Sequence, residues 1–292
     1  MRKVDKAHLE TDKLINKTER QMKKVYNSYD EKMIKKADTY FRRFQINDEK
    51  MLKALNSGDI SVQDYKKWRT ETLLSGKEYT QFNKEFAKAM TDIDKVAIGV
   101  SNTGVLNSYV LNANAVAKAI STKVNINFKL YNKNAVQRLN KAGTITLPYK
   151  NIKVSKNVQW NQKIINNTIR NSIIKGDNIN KIAKELWYNV KEMNYKGAVR
   201  TARTSITNAE NAGRLDMLND IKEKYDIETQ KQWITAGDDV VRDSHAEIDG
   251  EICELDEEFS NGLMYPADES GEPEEVYNCR CTMIYLIKGV DY

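Results

Sequence analysis

Proline is nearly missing from this chain, with three residues in 292. Long Lys-, Glu-, Gln- and Asn-rich stretches without a helix breaker argue for helices and against a proline-rich disordered tail. Cysteine is equally scarce. Cys253, Cys279 and Cys281 are too few and too clustered for a disulfide framework, so a reducing cytosol is the expected folding environment. Only two histidines occur, His8 and His245, far apart in sequence, whereas a His-Asn-His nuclease needs two in one site. No run approaches about 18 apolar residues, which predicts no membrane span. The first ten residues have neither an apolar core nor a small-residue cleavage site, which predicts neither signal peptide nor anchor. Phosphate loops, dinucleotide fingerprints and nucleic-acid motifs of known spacing are all missing.

What is present is charge, unevenly spread. The chain is 30% charged with a mean hydropathy of −0.68, as expected of a soluble protein. Residues 233–292 hold 3 Lys+Arg against 16 Asp+Glu, while residues 1–232 hold 44 against 25. The overall +6 therefore conceals a basic body and an acidic tail. Residues 91–232 are the most basic part, at 23 against 11, and are the best place for an electrostatic, sequence-independent contact with nucleic acid. A solvated helix surface is the simpler reading of the lysines in residues 1–90.

The length allows two domains, and three regions are distinguishable. Residues 1–120 read as a basic helical arm or bundle. Apolar positions Ile15, Met22, Val25, Tyr26 and Tyr29 are followed by Met33, Ala37, Tyr40, Phe41 and Phe44 at helical spacing. Asp30 is a candidate cap, Ser57-Gly58 and Ser75-Gly76 are candidate breaks, and Ser61 with Asp64 is a capping signal. Residues 121–230 read as a mixed and then helical middle. Val124, Ile126, Phe128 and Leu130 alternate as in a strand, and two short extended pieces flank Pro148. Helices are predicted from about Gln159 to Lys175, from Ile179 to about Val190, and from near Tyr195 to about Lys224. The small residues Ala198, Ala202 and Ala209 of the last one suit close helix packing. Residues 231–292 read as a small acidic antiparallel β domain. Asp249-Gly250 suggests a hairpin turn, and Val276–Ile287 suggests the final strand. The fold class is α+β.

Chemistry concentrates in this tail. His245, Cys253, Cys279 and Cys281 are four donors suited to zinc, although Cys-x-Cys is not the usual knuckle spacing; the alternative is a buried packing pair on one strand face. His245 beside Asp239 and Asp249 could serve as a general base, with Cys279 as nucleophile, in a metal-assisted nuclease or transferase. The structural alternative pairs Arg242 with Asp249 and uses His245 to hold a loop. Arg200, Arg203 and Arg214 form a basic cluster for phosphate or for the acidic tail itself.

The islands Trp233, Thr235, Asp239, Arg242, His245 and Gly250, then Phe259 and Pro266, then Asn278-Cys279-Arg280-Cys281, resemble the C-terminal signature of tailed-phage minor head proteins, the head morphogenesis proteins of the phage Mu F-like type. The runs I-N-K-I-A-K-E-L and R-T-A-R-T-S-I-T-N-A-E-N-A-G-R resemble the helices that precede that signature. The resemblance begins at about Asn161. It departs from the family at Ser205, where an acidic residue is expected, and this argues against a catalytic role for that helix position. The resemblance implies a minor structural component of the virion. It would sit in the capsid interior in few copies, after assembly in the host cytoplasm. Its implied partners are the portal protein, the major capsid or scaffolding protein and, in some relatives, double-stranded DNA whose packaging or ejection it affects. It implies no enzyme and no cofactor; zinc rests on the donor cluster alone.

Overall fold

The computed structural model describes residues 5–288. Ten α-helices and three strands lie in these residues. They are α1 (Lys6–Asn27), α2 (Asp30–Phe41), α3 (Gln45–Ser57), α4 (Val62–Leu73), α5 (Gly76–Val124), α6 (Lys133–Ala142), α7 (Val154–Lys175), α8 (Ile179–Tyr225), β1 (Thr229–Ile234), α9 (Asp243–Glu247), β2 (Ile252–Glu254), α10 (Pro273–Val276) and β3 (Thr282–Ile287). The α+β class expected from the sequence is the one found. No helix among the described residues is long and apolar enough to cross a membrane. Two compact units are present, and α1, α5 and α8 contribute a part to each.

The helix boundaries follow local chemistry. Gly58 and Gly176 close α3 and α7 in the left-handed conformation that side chains disfavour. Ser61 and Asp64 form a full capping box at the start of α4. Asp30 does not cap α2; its carboxylate instead accepts from the Trp187 indole at 2.7 Å and from Lys191 Nζ at 2.8 Å. The break expected near Tyr195 is not there, and α8 runs unbroken through 47 residues. Its one mid-helix glycine in that region, Gly197, does not break it.

One unit comprises residues 22–98 and 151–198. Its core packs Tyr40 face to face on Phe82, with ring centroids 4.2 Å apart, and buries Met33, Phe86, Ile169, Leu186 and Trp187. At its centre Asp94 accepts from Tyr26 Oη at 2.8 Å and from Asn161 Nδ2 at 3.3 Å. Asn161 in turn accepts from Asn194 at 2.9 Å, so α1, α5, α7 and α8 meet in one buried polar chain.

The other unit comprises residues 5–21, 99–150 and 199–288 of the described chain. Here α5 and α8 lie close: a Cβ added at Gly213 would stand 2.7 Å from the Tyr109 carbonyl oxygen. Ala202, Ile206, Ala209 and Met217 of α8 are buried, as their spacing suggested. The sheet is antiparallel in the order β2-β1-β3, with Trp233 opposite Met283 and Lys231 opposite Cys253. Its inner residues Met283 and Ile287, with Leu255, join Ala113, Ala117, Ile120, Leu218 and Ile221 in an apolar core.

Three expectations fail in this unit. Residues 124–130 are not a strand. Val124 and Phe128 do pack against the core, but side chains hold the extended segment where a sheet partner would. Ser121 Oγ donates to the Ile126 carbonyl, and Asn114 binds both the amide and the carbonyl of Tyr131. The Asp249-Gly250 turn does not join two strands: α9 precedes it, and β2 pairs with β1. The final strand begins at Thr282, because Pro273–Val276 forms a short helix first.

Burial raises the Asp94 pKa to about 6, against the lowering effect of its Tyr26 and Asn161 hydrogen bonds. A raised acid pKa favours the protonated native state. Its contribution is therefore full below about pH 4 and is lost as pH rises through 6. Asp94→Asn should remove that dependence. Between pH 3 and 7.5 the wild type should lose about 3 kcal/mol of unfolding free energy relative to the variant, measured by urea titration at several pH values.

Candidate functional site

The signature residues of the tail are held by α8 and the sheet. Four side chains in one stretch of α8 reach across to other segments of the unit, the last 30 residues above all. Asn208 Nδ2 donates to the Ala267 carbonyl at 2.8 Å. Asn211 donates to the Pro266 carbonyl at 3.1 Å and accepts from the Met283 amide at 2.9 Å. Glu210, fully buried, accepts from Thr282 Oγ1 at 2.8 Å and contacts His8 Nδ1 at 2.9 Å. Arg214, 2% exposed, forks onto both oxygens of Asp5 at 2.7 and 2.8 Å and also reaches Asn112, Glu210 and the Met283 carbonyl. Burial alone would raise the Glu210 pKa, but His8 and Arg214 hold it below the ordinary carboxylate value. Burial likewise disfavours charge on His8, and Glu210 reverses this and raises its pKa.

Of the three arginines proposed for phosphate, Arg214 is thus part of the core. Arg203 is forked onto Glu19, and Arg200 lies over the Tyr277 ring at 5.6 Å. Arg200 does meet the acidic tail, but through an aromatic face. Ser205, the departure from the family pattern, is fully buried.

A second centre gathers around Trp233 of β1. Trp233 is buried edge-on to His245 and Phe259, with centroids 5.0 and 5.1 Å away. Cys279 and Cys281 are buried beside it. Neither cysteine lies on the strand, yet both reach the same histidine: His245 Nδ1 is 3.7 Å from Cys279 Sγ and 3.4 Å from Cys281 Sγ. The other ring nitrogen, Nε2, comes within 2.9 Å of Glu275 Oε2, without hydrogen-bond alignment. Ser244 Oγ fixes both oxygens of Glu275, at 3.1 and 3.0 Å. The left-handed backbone at Asn278, φ 56°, turns the chain between Tyr277 and the cysteines, and asparagine is among the few side chains that tolerate it.

Cys253, the fourth candidate ligand, is not in this group. It stands opposite Lys231 in the sheet, and its thiol faces the Glu257 carbonyl at 3.8 Å. Burial pushes its pKa up to about 11. Nor do the carboxylates chosen for catalysis meet His245. Asp249 accepts from the amide and hydroxyl of Thr235 at 2.9 and 3.1 Å, and Asp239 is exposed. Arg242 donates to the Tyr277 carbonyl, so the expected Arg242–Asp249 pair is replaced by two separate loop ties. Gly250, at φ 88°, donates its amide to the Trp233 carbonyl and closes the turn on β1. The carboxylate that matters is Glu275. Its position four residues before Cys279 was readable, but nothing in the acidic run singled it out.

A cleft of about 880 Å³ adjoins this centre. Its lining includes His8, Asp12 and Glu19 of α1, Arg203 of α8, and Asp238, Arg242, Cys279 and Arg280. His8, remote in sequence, therefore shares a cavity wall with the signature. Acids and bases are mixed around it: Arg280 pairs with Asp238 and Arg203 with Glu19. Mixed charge and the apolar side chains of Leu9, Ile15 and Val240 do not make a phosphate cradle.

Removing Arg214 would strand Asp5 and Glu210 in or near the core. Arg214→Ala should cost about 3–5 kcal/mol in denaturant unfolding. Arg214→Lys should recover only a minor part, because a point ammonium cannot reproduce the fork.

Residues 163–284 match the family described as phage Mu protein F like protein. Minor head protein GP7 of Bacillus phage SPP1 is 24% identical over 287 residues, covering 95% of this chain and 85% of GP7. NAD(+)--arginine ADP-ribosyltransferase EFV of Enterococcus faecalis is 32% identical over 132 residues, or 44% of this chain. The chain spans 26% of that protein's length. No solved structure matches the chain. Residues 163–284, which hold the α8 contacts, most of the sheet and the His-Cys-Cys centre, carry the Mu F-like match, and a phage minor head protein aligns along nearly the whole length, so the chain is similar to the phage minor head proteins of that type.

Proposed function

We propose that the protein is a non-enzymatic minor component of the phage head that binds the portal protein and is enclosed with it in the procapsid interior. Assembly would take place in the host cytoplasm, beside the major capsid or scaffolding protein. The observation that carries this reading is the alignment with a minor head protein over 95% of the chain. Two further features support it. Asp239 and Asp249, the carboxylates expected to act with His245, do not meet it: Asp249 is tied to Thr235 and Asp239 is exposed. The charge distribution also suits a protein placed between a packaged polyanion and other head proteins.

Contact with double-stranded DNA is part of the proposal, and it rests on a stretch other than the α8 arginines. Between Lys95 and Gly176 the chain has 13 Lys+Arg and not one Asp or Glu. Lys129, Lys133, Arg138 and Lys141, on and before α6, are exposed. Such a patch tracks phosphates without reading bases.

Co-expression of the full chain with its cognate portal protein, followed by size exclusion, tests the reading. Co-elution is expected, and it should survive the joint change Lys129→Glu, Lys133→Glu and Lys141→Glu. The same triple variant should flatten the salt dependence of DNA binding, by up to about 0.9 in log–log slope for each phosphate that is no longer neutralised. Separate elution of chain and portal would remove the portal from the proposal, and an unchanged salt slope would remove the patch.

A further inference from the structure

The atoms of His245, Cys279 and Cys281 that can ligate a metal lie within 4.8 Å of one another, and all three residues are buried. The two nitrogen–sulfur separations, 3.4 and 3.7 Å, can be compared with a tetrahedral zinc centre. With Zn–S near 2.3 Å and Zn–N near 2.0 Å, nitrogen and sulfur ligands stand roughly 3.5 Å apart. The donors are thus already spaced as edges of such a tetrahedron, on separate segments that the sheet and α9 bring together.

We propose that this centre binds one zinc ion through His245 Nδ1 and the thiolates of Cys279 and Cys281, with a solvent molecule from the adjoining cleft as fourth ligand. Among the described residues no fourth His, Cys, Asp or Glu joins the group. Cys279 lines the cleft, so the open position has a route to water.

The surroundings match those of a metal-bound histidine. Glu275 faces Nε2 at 2.9 Å, which favours the tautomer with its proton on Nε2 and leaves the Nδ1 lone pair directed at the sulfurs. Ser244 holds that carboxylate in place. Zn²⁺ binding releases the thiol protons to solvent, and two thiolates with one neutral imidazole leave the site without net charge. The assignment stands apart from the head-protein reading, because it uses only the donor geometry.

Cobalt titration of the reduced, chelator-treated full chain tests it. One equivalent of Co²⁺ should produce a thiolate-to-metal charge-transfer band with tetrahedral d–d absorption, and Zn²⁺ should bleach both. Cys253→Ser should keep the band. Cys281→Ala and His245→Ala should weaken zinc binding at least about 100-fold, and Glu275→Gln, which acts through His245, about 10- to 100-fold. The wild-type titration does not depend on any variant folding. A reduced chain whose three thiols all react and that gives no band at excess cobalt overturns the proposal. A band lost in Cys253→Ser but kept in Cys281→Ala overturns it equally.

Discussion

The C-terminal unit depends on one buried guanidinium. Arg214 is nearly inaccessible, yet it binds the side chains of Asp5, Asn112 and Glu210 and the carbonyl of Met283. Those partners sit at the start of α1, on α5, on α8 and on β3, so a single group sets the spacing of four elements. A buried cation is costly unless it is paired and fully hydrogen-bonded, and this arrangement meets both conditions. Geometry, more than net energy, is what the interaction supplies. The fork accepts one arrangement of carboxylate and amide oxygens and rejects others. Glu210 and Asn211, the neighbouring residues, extend the same specification to His8, Thr282 and the Pro266 loop.

The His245 centre inherits this order. Cys281 is one residue from Thr282 and two from Met283, both of which are held by α8. The sulfurs are positioned because the strand after them is docked. On the other side, Gly250 and Thr235 close the loop that carries α9 and hence His245. His245 and the two cysteines, more than 30 positions apart, are thus set to within tenths of an ångström of a metal geometry by hydrogen bonds of the residues beside them and by the Asn211 amide, which donates to the Cys281 carbonyl.

Local signals in the sequence were read well. Ser61 with Asp64, Gly58 and Gly176 act within a few residues, and local sterics decides them. The α+β class and the acidic strand-forming tail are also legible, whereas the grouping of His245 with all three cysteines includes Cys253, which lies apart. What escaped depended on distant partners. The alternation at Val124–Leu130 looks the same whether a strand neighbour or Asn114 satisfies the backbone. Glu275 is one of several acids in its run, and only folding aims it at His245. The start of β3 and the continuity of α8 between Val190 and Tyr195 are not legible, because neither the short helix at Pro273 nor that join leaves a strong local mark. Arg214 reads as a base for phosphate or for the acidic tail because charge alone does not reveal burial or partner; the acids at Asp5 and Glu210 that receive it are 209 and 4 residues away.

The sequence separation of those partners also bears on when the unit can form. Met283 emerges from the ribosome 278 residues after Asp5. At ordinary synthesis rates of about 5–20 residues per second, roughly a quarter to one minute passes between them. For that interval the helical segments wait beside an incomplete hub with an apolar face uncovered. The newly made chain is therefore most vulnerable to off-pathway association before β3 arrives.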